Sequence, residues 1–233
     1  MNNPFLRSEL ILGSEGMEKL AKSTVAVFGI GGVGSFAAEV LVRTGLGEII
    51  LIDYDIIDIT NINRQIHATS KTVGMSKVEV MRDRLLDINP DLNVTIYKEK
   101  YNADTKGKLL SSKYDYVIDA IDMVSSKIDL ILECKKIGVP IISSMGAGNK
   151  LSPTMFQVGD IYSTKICPLA KVMRSELRKR NVEDLKVVWS EEVPRNINLE
   201  NDNLRKAIPG SIGFVPSVVG LIIGSEVIKD IAL

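Results

Sequence analysis

The sequence predicts an α/β protein built on a doubly wound, Rossmann-like, mostly parallel sheet with a C-terminal strand and helix extension. Three observations carry this. Short β-branched runs alternate with helical patterns through the first two-thirds of the chain. A glycine-rich stretch, Gly29-Ile30-Gly31-Gly32-Val33-Gly34, stands between the first such run and the first helical pattern. The next run ends in acids, "LIDYDIID".

Thr24–Phe28, Glu48–Ile52, Val94–Lys98, Tyr116–Ala120 and Pro140–Ser144 are apolar and read as strands. Val33–Thr44, about Ser76–Ile88 and Val124–Ile137 read as helices. Gly45 stops the first helix and Asn89-Pro90 the second. Strands that alternate with helices pair in parallel through right-handed crossovers. Beyond Gly148 the pattern loosens, with strands at Phe156–Gly159 and Leu185–Trp189 flanking a helix at about Pro168–Arg180. Glu191–Pro209 is polar, holds two prolines and reads as a long mobile loop. A strand at Ser211–Val215 and a helix from about Pro216 to Ile231 close the chain. With no repeat and no clear linker, residues 1–233 are expected to form one domain, its basic helix and loop inserted at about 160–210.

Of the 233 residues, 45% are apolar and 25% charged, as in ordinary globular proteins. Basic and acidic residues balance at 29 each, so bulk attraction to nucleic acid is not implied, and a local basic face is still open. Cys134 and Cys167 are too few and too far apart for a disulfide framework or a CxxC pair. The N-terminus lacks a basic-then-apolar leader, and Pro216 breaks the longest apolar run, "IGFVPSVVGLIIG", short of the roughly 18 residues that cross a bilayer. A cytoplasmic protein with no membrane partner is expected.

A glycine loop that follows a strand and opens a helix lets the backbone approach phosphate oxygens, which the helix N-terminus attracts. The same glycines would also suit a tight turn. Asp53, 24 positions after Gly29, falls near the roughly 20-residue offset of an acid that binds ribose hydroxyls. Asp55 and Asp58 follow it and suit either the site or a turn and cap. To this point NAD and ATP fit equally. The segment "DITNINRQIHATSKTVGMSKVEVM" decides for ATP, because attack at an α-phosphorus builds charge that cations must offset. Arg64 and Lys77 suit that task, while Asn61 and Gln65 would hold the loop or bind a phosphoryl oxygen. "VIDAID" places Asp119 and Asp122 at the end of the fourth strand, facing the same crevice. Asp122 suits the Mg²⁺ that accompanies ATP, with Ser125 and Ser126 available to cap the next helix.

Together "GIGGVGS", "LIDYD", "TNINRQI", "GMSKVEVM" and "VIDAIDMVSSK" resemble the E1-like, ThiF/MoeB-type adenylating enzymes. "FLRSELILGSEGMEKL", "RQIHA", "INPDLNV", "GAG" and "PLA" are similar to the subgroup of tRNA threonylcarbamoyladenosine dehydratases. The resemblance runs from Phe5 to about Trp189 and implies roles residue by residue. Gly29, Gly31, Gly32 and Gly34 would line the phosphates, Asp53 would hold the ribose, and Arg64 and Lys77 would contact the phosphates. It implies that Arg7 reaches into a partner subunit's ATP site, which would make a homodimer obligatory. It implies ATP-dependent dehydration of N6-threonylcarbamoyladenosine in tRNA. Zinc is not expected, since two single cysteines cannot build the tetrahedral thiolate site of MoeB and ThiF relatives.

Cys134, in an apolar helix, is expected in the core. Cys167 precedes Pro168 at a helix start, where a thiol's pKa tends to fall, yet the dehydratase chemistry needs no thiol. His67, the single histidine, is expected to pack the crossover loop. Contact with tRNA falls to "PLAKVMRSELRKRNVEDLK", where Lys171, Arg174 and Arg178 share a stripe that Lys179 and Arg180 extend. The same residues also suit a solvated face. The nearest alternative is activation of a ubiquitin-like sulfur carrier's C-terminal carboxylate, which would bring cysteine desulfurase or sulfur-acceptor partners. An NAD-dependent oxidoreductase leaves Arg64, Lys77 and Asp122 unexplained. A non-catalytic nucleotide-binding adaptor would not need every residue type of the ATP site.

Overall fold

Successive residues of a strand point to opposite faces, and the central strands here are apolar on both. In β1 (Thr24–Phe28), Val25 and Val27 enter one core while Ala26 and Phe28 enter the other. β4 (Tyr116–Asp119) divides the same way, Tyr116 and Ile118 against Val117. Such strands need helices on both sides. The first core lies under α1 (Leu6–Lys22), α2 (Gly34–Arg43), α3 (Lys77–Ile88) and α7 (Phe214–Ala232). The second lies under α4 (Lys106–Leu109), α5 (Val124–Ile137) and α6 (Pro168–Arg178). The computed structural model describes residues 3–196 and 209–233.

The remaining strands are β2 (Glu48–Ile52), β3 (Asn93–Tyr97), β5 (Ile141–Ser144), β6 (Phe156–Asp160) and β7 (Lys186–Ser190). Among the described residues they form one sheet in the order β3-β2-β1-β4-β5-β7-β6. Every pairing is parallel except that of β6 with β7. The expected doubly wound, mostly parallel sheet is therefore observed. Phe28 aligns with Ile52 on one side and Asp119 on the other, so these three strands end level. Strand order reverses between β1 and β4, and ligands of such sheets bind in the crevice beyond that point.

No strand forms at Ser211–Val215, contrary to the sequence expectation. Asn63 Nδ2 donates to the Ser211 carbonyl at 2.9 Å, so this stretch packs against the 61–65 turn instead of a neighbouring strand. The apolar run through Pro216 is a single helix, α7, with the proline in its first turn, where a missing N–H costs no helical hydrogen bond. α7 lies so close to α2 that a Cβ on Gly220 would stand 2.3 Å from the Val33 carbonyl oxygen. α1 was not legible as a helix in the sequence. Gly13 breaks it at φ 74 and ψ 165, so neither half carries a long apolar stripe. The other expected elements are displaced by at most two residues. Residues 197–208 of the expected Glu191–Pro209 loop lie outside the described residues.

Candidate functional site

A cavity of about 460 Å³ opens at the crevice between β1 and β4. Gly29, Gly31, Gly32, Asp53, Asp55, Asn61, Arg64, Gln65, Lys77 and Asp122 all line it. Residues up to 93 positions apart in sequence are brought together because β1, β2 and β4 end level (Gly29 to Asp122).

The four glycines have different jobs. Gly29 sits at φ 91 with a Cβ position only 2.6 Å from the Ala120 carbonyl oxygen, so the loop and the end of β4 are pressed together. A Cβ on Gly34 would meet the Gly29 carbonyl oxygen at 1.8 Å, which closes the loop tightly onto α2. Gly34 does not line the cavity; it shapes the loop that does. Gly32 rests on Pro216 of α7. Only at Gly31 is the space open, the nearest atom to a Cβ being Gln65 Nε2 at 3.9 Å. Gly31 is thus the bare wall a phosphate can approach.

Asp53 straps the loops together: its carboxylate accepts the Ile30 N–H at 2.7 Å and the Asp55 N–H at 2.8 Å. Burial pushes its pKa up, opposed by the nearby Lys77 ammonium. Lys77, at the first position of α3, is buried and pairs with Asp55 at 2.7 Å. Asp55 therefore acts on the cation beside the cavity. Asp58 is a cap, accepting the Thr60 N–H at 2.8 Å while Asn61 Oδ1 accepts the Asp58 N–H at 3.1 Å. That turn aims Arg64, whose Nη1 donates to the Thr60 carbonyl at 2.8 Å and to Asn63 Oδ1 at 2.9 Å. Gln65 is buried, and its Oε1 has no partner among the described residues. Buried polar atoms are normally paired, so an orphan on a cavity wall fits a ligand or water there.

Asp122 is exposed at the rim, but Asp119 does not share the crevice as the sequence suggested. Asp119 is the last residue of β4 and points inward, wholly buried, to Lys127 and Ser143. Ser125 and Ser126 do not cap α5; Ser126 Oγ donates to the Tyr101 carbonyl at 2.9 Å. Arg7 lies exposed in the first turn of α1 and does not line this cavity. The sequence reading missed Tyr101, Pro209, Gly210 and the contribution of Ser126 to the wall. Tyr101 follows β3, and the rule that ligands sit beyond strand carboxyl ends was the available signal. Its hydroxyl donates to Asp129 at 2.9 Å and its ring meets Phe28 edge-on at 5.2 Å; burial pushes the phenol's pKa up.

His67 is only 2% exposed and neither ring nitrogen has a partner among the described residues. Burial, with Lys77 and Arg84 adding, pushes it down to about 4, so it is neutral and packed. Cys134 is buried in the second core, its thiol pushed up to about 12 by burial, and Cys167 is buried there too. Among the described residues no group of three or more His, Cys, Asp or Glu could hold a metal ion. The basic stripe on α6 is largely committed: Arg174 donates to the Thr164 carbonyl at 2.9 Å, and Arg178 stacks over Tyr162 at 5.0 Å. Lys179 and Arg180 both pair with Glu176, leaving Lys171 without an ion-pair partner among the described residues.

A mostly parallel, doubly wound sheet whose crevice gathers a glycine loop, the acids at the end of β2 and two cations has the form of the nucleotide-binding class of such folds. The chain belongs to the ThiF family, whose model matches residues 5–232. It is 47% identical over 242 residues to the tRNA threonylcarbamoyladenosine dehydratase of Bacillus subtilis, covering 99% of this chain and 95% of that protein. The enzyme of the same name from Escherichia coli is 44% identical over 72% of this chain and 63% of its own length. Crystal structures of the E. coli dehydratase, TcdA, in complex with AMP and with ATP both superpose with a TM-score of 0.89. They are 36% and 35% identical, and each match covers 98% of this chain and 93% of that one.

Proposed function

We propose that the protein is an ATP-dependent tRNA threonylcarbamoyladenosine dehydratase, which adenylates the carboxylate of N6-threonylcarbamoyladenosine in tRNA and closes the ring. The observation that carries this is the cavity that gathers Gly31, Asp53, Arg64, Lys77 and Asp122 in a chain so similar to the dehydratases of B. subtilis and E. coli. A carboxylate is a poor electrophile because oxide is not a feasible leaving group. Its attack on the α-phosphorus of ATP expels pyrophosphate and leaves a mixed anhydride with AMP. A carbamoyl nitrogen of the same side chain then attacks the activated carbonyl, loses its proton and expels AMP. Tethering gives this step a high effective concentration, so the protein need supply no nucleophile.

In this reading Gly31 and the N-terminus of α2 receive the phosphates, and Asp53 holds the ribose. Arg64 and Lys77 offset charge on the phosphates, while Asn61 and Gln65 complete the wall. A single rim carboxylate, Asp122, fits Mg²⁺, which favours one or two carboxylates together with phosphates. Bound there, Mg²⁺ would neutralise phosphate charge. Arg7, outside its own chain's cavity, would complete that of a second copy in a homodimer. On α6, Lys171 and its neighbours would meet tRNA phosphates. In this reading the enzyme would meet its tRNA in the cytoplasm.

The test is to incubate the protein with ATP, Mg²⁺ and threonylcarbamoyladenosine-bearing tRNA, then weigh the nucleosides. Loss of one water with AMP formation is expected. No mass change, with adenylation of a sulfur carrier instead, would sink the reading. For the composite site, mixed Arg7→Ala and Lys77→Ala chains should regain activity that neither has alone; no regain would remove Arg7 from the site.

A further inference from the structure

Lys127 and Asp119 form an ion pair with both side chains wholly buried, Nζ lying 2.9 Å from Oδ2. None of the roles assigned above uses it. Two charges taken out of water are tolerated only when further hydrogen bonds complete them. Here the completion comes from the chain just beyond β4. Lys127 Nζ donates to the Ile121 carbonyl at 3.1 Å, and the Ile121 N–H donates to Asp119 Oδ1 at 3.2 Å. Ser143 Oγ donates to Asp119 Oδ2 at 2.6 Å and ties the group to β5.

The pair thus holds both backbone polar groups of Ile121, the residue before Asp122. One residue earlier, the Ala120 N–H donates to the Phe28 carbonyl at 2.9 Å, and the Ala120 carbonyl is the group against which Gly29 is pressed. Ala120, Ile121 and Asp122 all line the cavity. Three hydrogen bonds and the close approach of Gly29 therefore converge on a turn that has the glycine loop on one side and the rim carboxylate on the other.

We propose that Lys127 is a positioning residue for the nucleotide site: through Ile121 it fixes the turn that presents Asp122. This inference rests on reading the cavity as an ATP site. It deepens that reading by assigning the site's rigidity to a charge that never touches the nucleotide. A purely structural lysine would affect stability; a positioning lysine acts on binding through Asp122.

The experiment is a double-mutant cycle on Lys127→Met and Asp122→Ala, measuring the dissociation constant of a non-hydrolysable ATP analogue with Mg²⁺. Lys127→Met should weaken binding about tenfold, the scale of losing a group that orients a ligating residue. The double variant should bind as weakly as Asp122→Ala alone, because the two residues act as one unit. Multiplied effects, or unchanged affinity in Lys127→Met, would overturn the inference. If Lys127→Met fails to fold, Lys127→Met with Asp119→Leu, which leaves no lone buried charge, carries the same cycle. A wild-type protein that does not bind the analogue would overturn the ATP reading and this inference together, and is distinguishable from failure of the cycle.

Discussion

Around the β1–β4 crevice, Lys77 and Arg64 are held by Asp55 and by the Thr60 carbonyl, and both still line an open cavity. On α6, Arg174, Arg178, Lys179 and Arg180 are held by Thr164, Tyr162 and Glu176 on the helix's own surroundings. Both regions supply cations that the sequence offered as ligand contacts. The difference is what surrounds them: Arg64 and Lys77 line a cavity with an open glycine wall, whereas no residue of α6 lines it. A cation held on a cavity wall by a second residue is stronger evidence of ligand binding than a run of positive charge.

The largest effects are expected at the crevice. Arg64→Ala and Lys77→Ala should each cut AMP formation by roughly 10²–10³ while leaving the melting curve near that of the wild type. Near-normal turnover would remove the distinction between the regions. A stability effect of about 3 kcal/mol belongs to the same side of the molecule, at His67. Its folded pKa of about 4 lies below the ordinary 6.5, so the unfolded chain binds the proton first as pH falls. Stability should be lost as pH drops from 6.5 towards 4, and His67→Phe should flatten that dependence in denaturant titrations. An unchanged slope would show that His67 is not the buried neutral group described.

Gly31→Ala sharpens the reading of the wall. Its Cβ would enter open space, so nucleotide affinity should fall about tenfold with no loss of stability. Gly34→Ala should do the reverse in kind, destabilising by roughly 1–3 kcal/mol because its Cβ meets the Gly29 backbone. The smallest effect is expected on α6: Lys171→Ala should lower the slope of tRNA affinity against log salt by about one, with little change in specificity. A large loss there, with none at Arg64, would invert the comparison.

The mostly parallel, doubly wound sheet and most of the residues that line the cavity were legible because each rests on local spacing. Alternation of strand and helix implies a parallel sheet, and Gly29, Asp53, Arg64, Lys77 and Asp122 follow strand ends at set distances. Asp119 was misplaced because sequence gives its position on β4 and not the face it takes; strand alternation turns it inward onto Lys127. Ser211–Val215 looked like a strand by composition, yet its hydrogen-bonding partner is Asn63, 148 positions away. Tyr101, Pro209 and Gly210 carry no motif at all and become wall residues only through packing.

The sequence by itself determined the fold class, the glycine loop and the identities of the acids and cations that meet there, because periodicity and short-range spacing are properties of the chain. The tertiary structure alone decided which of those groups face the cavity, which are spent on one another, and that a buried Lys127 grips the turn before Asp122. Burial and pairing depend on neighbours distant in sequence, and only folding brings them within hydrogen-bonding reach.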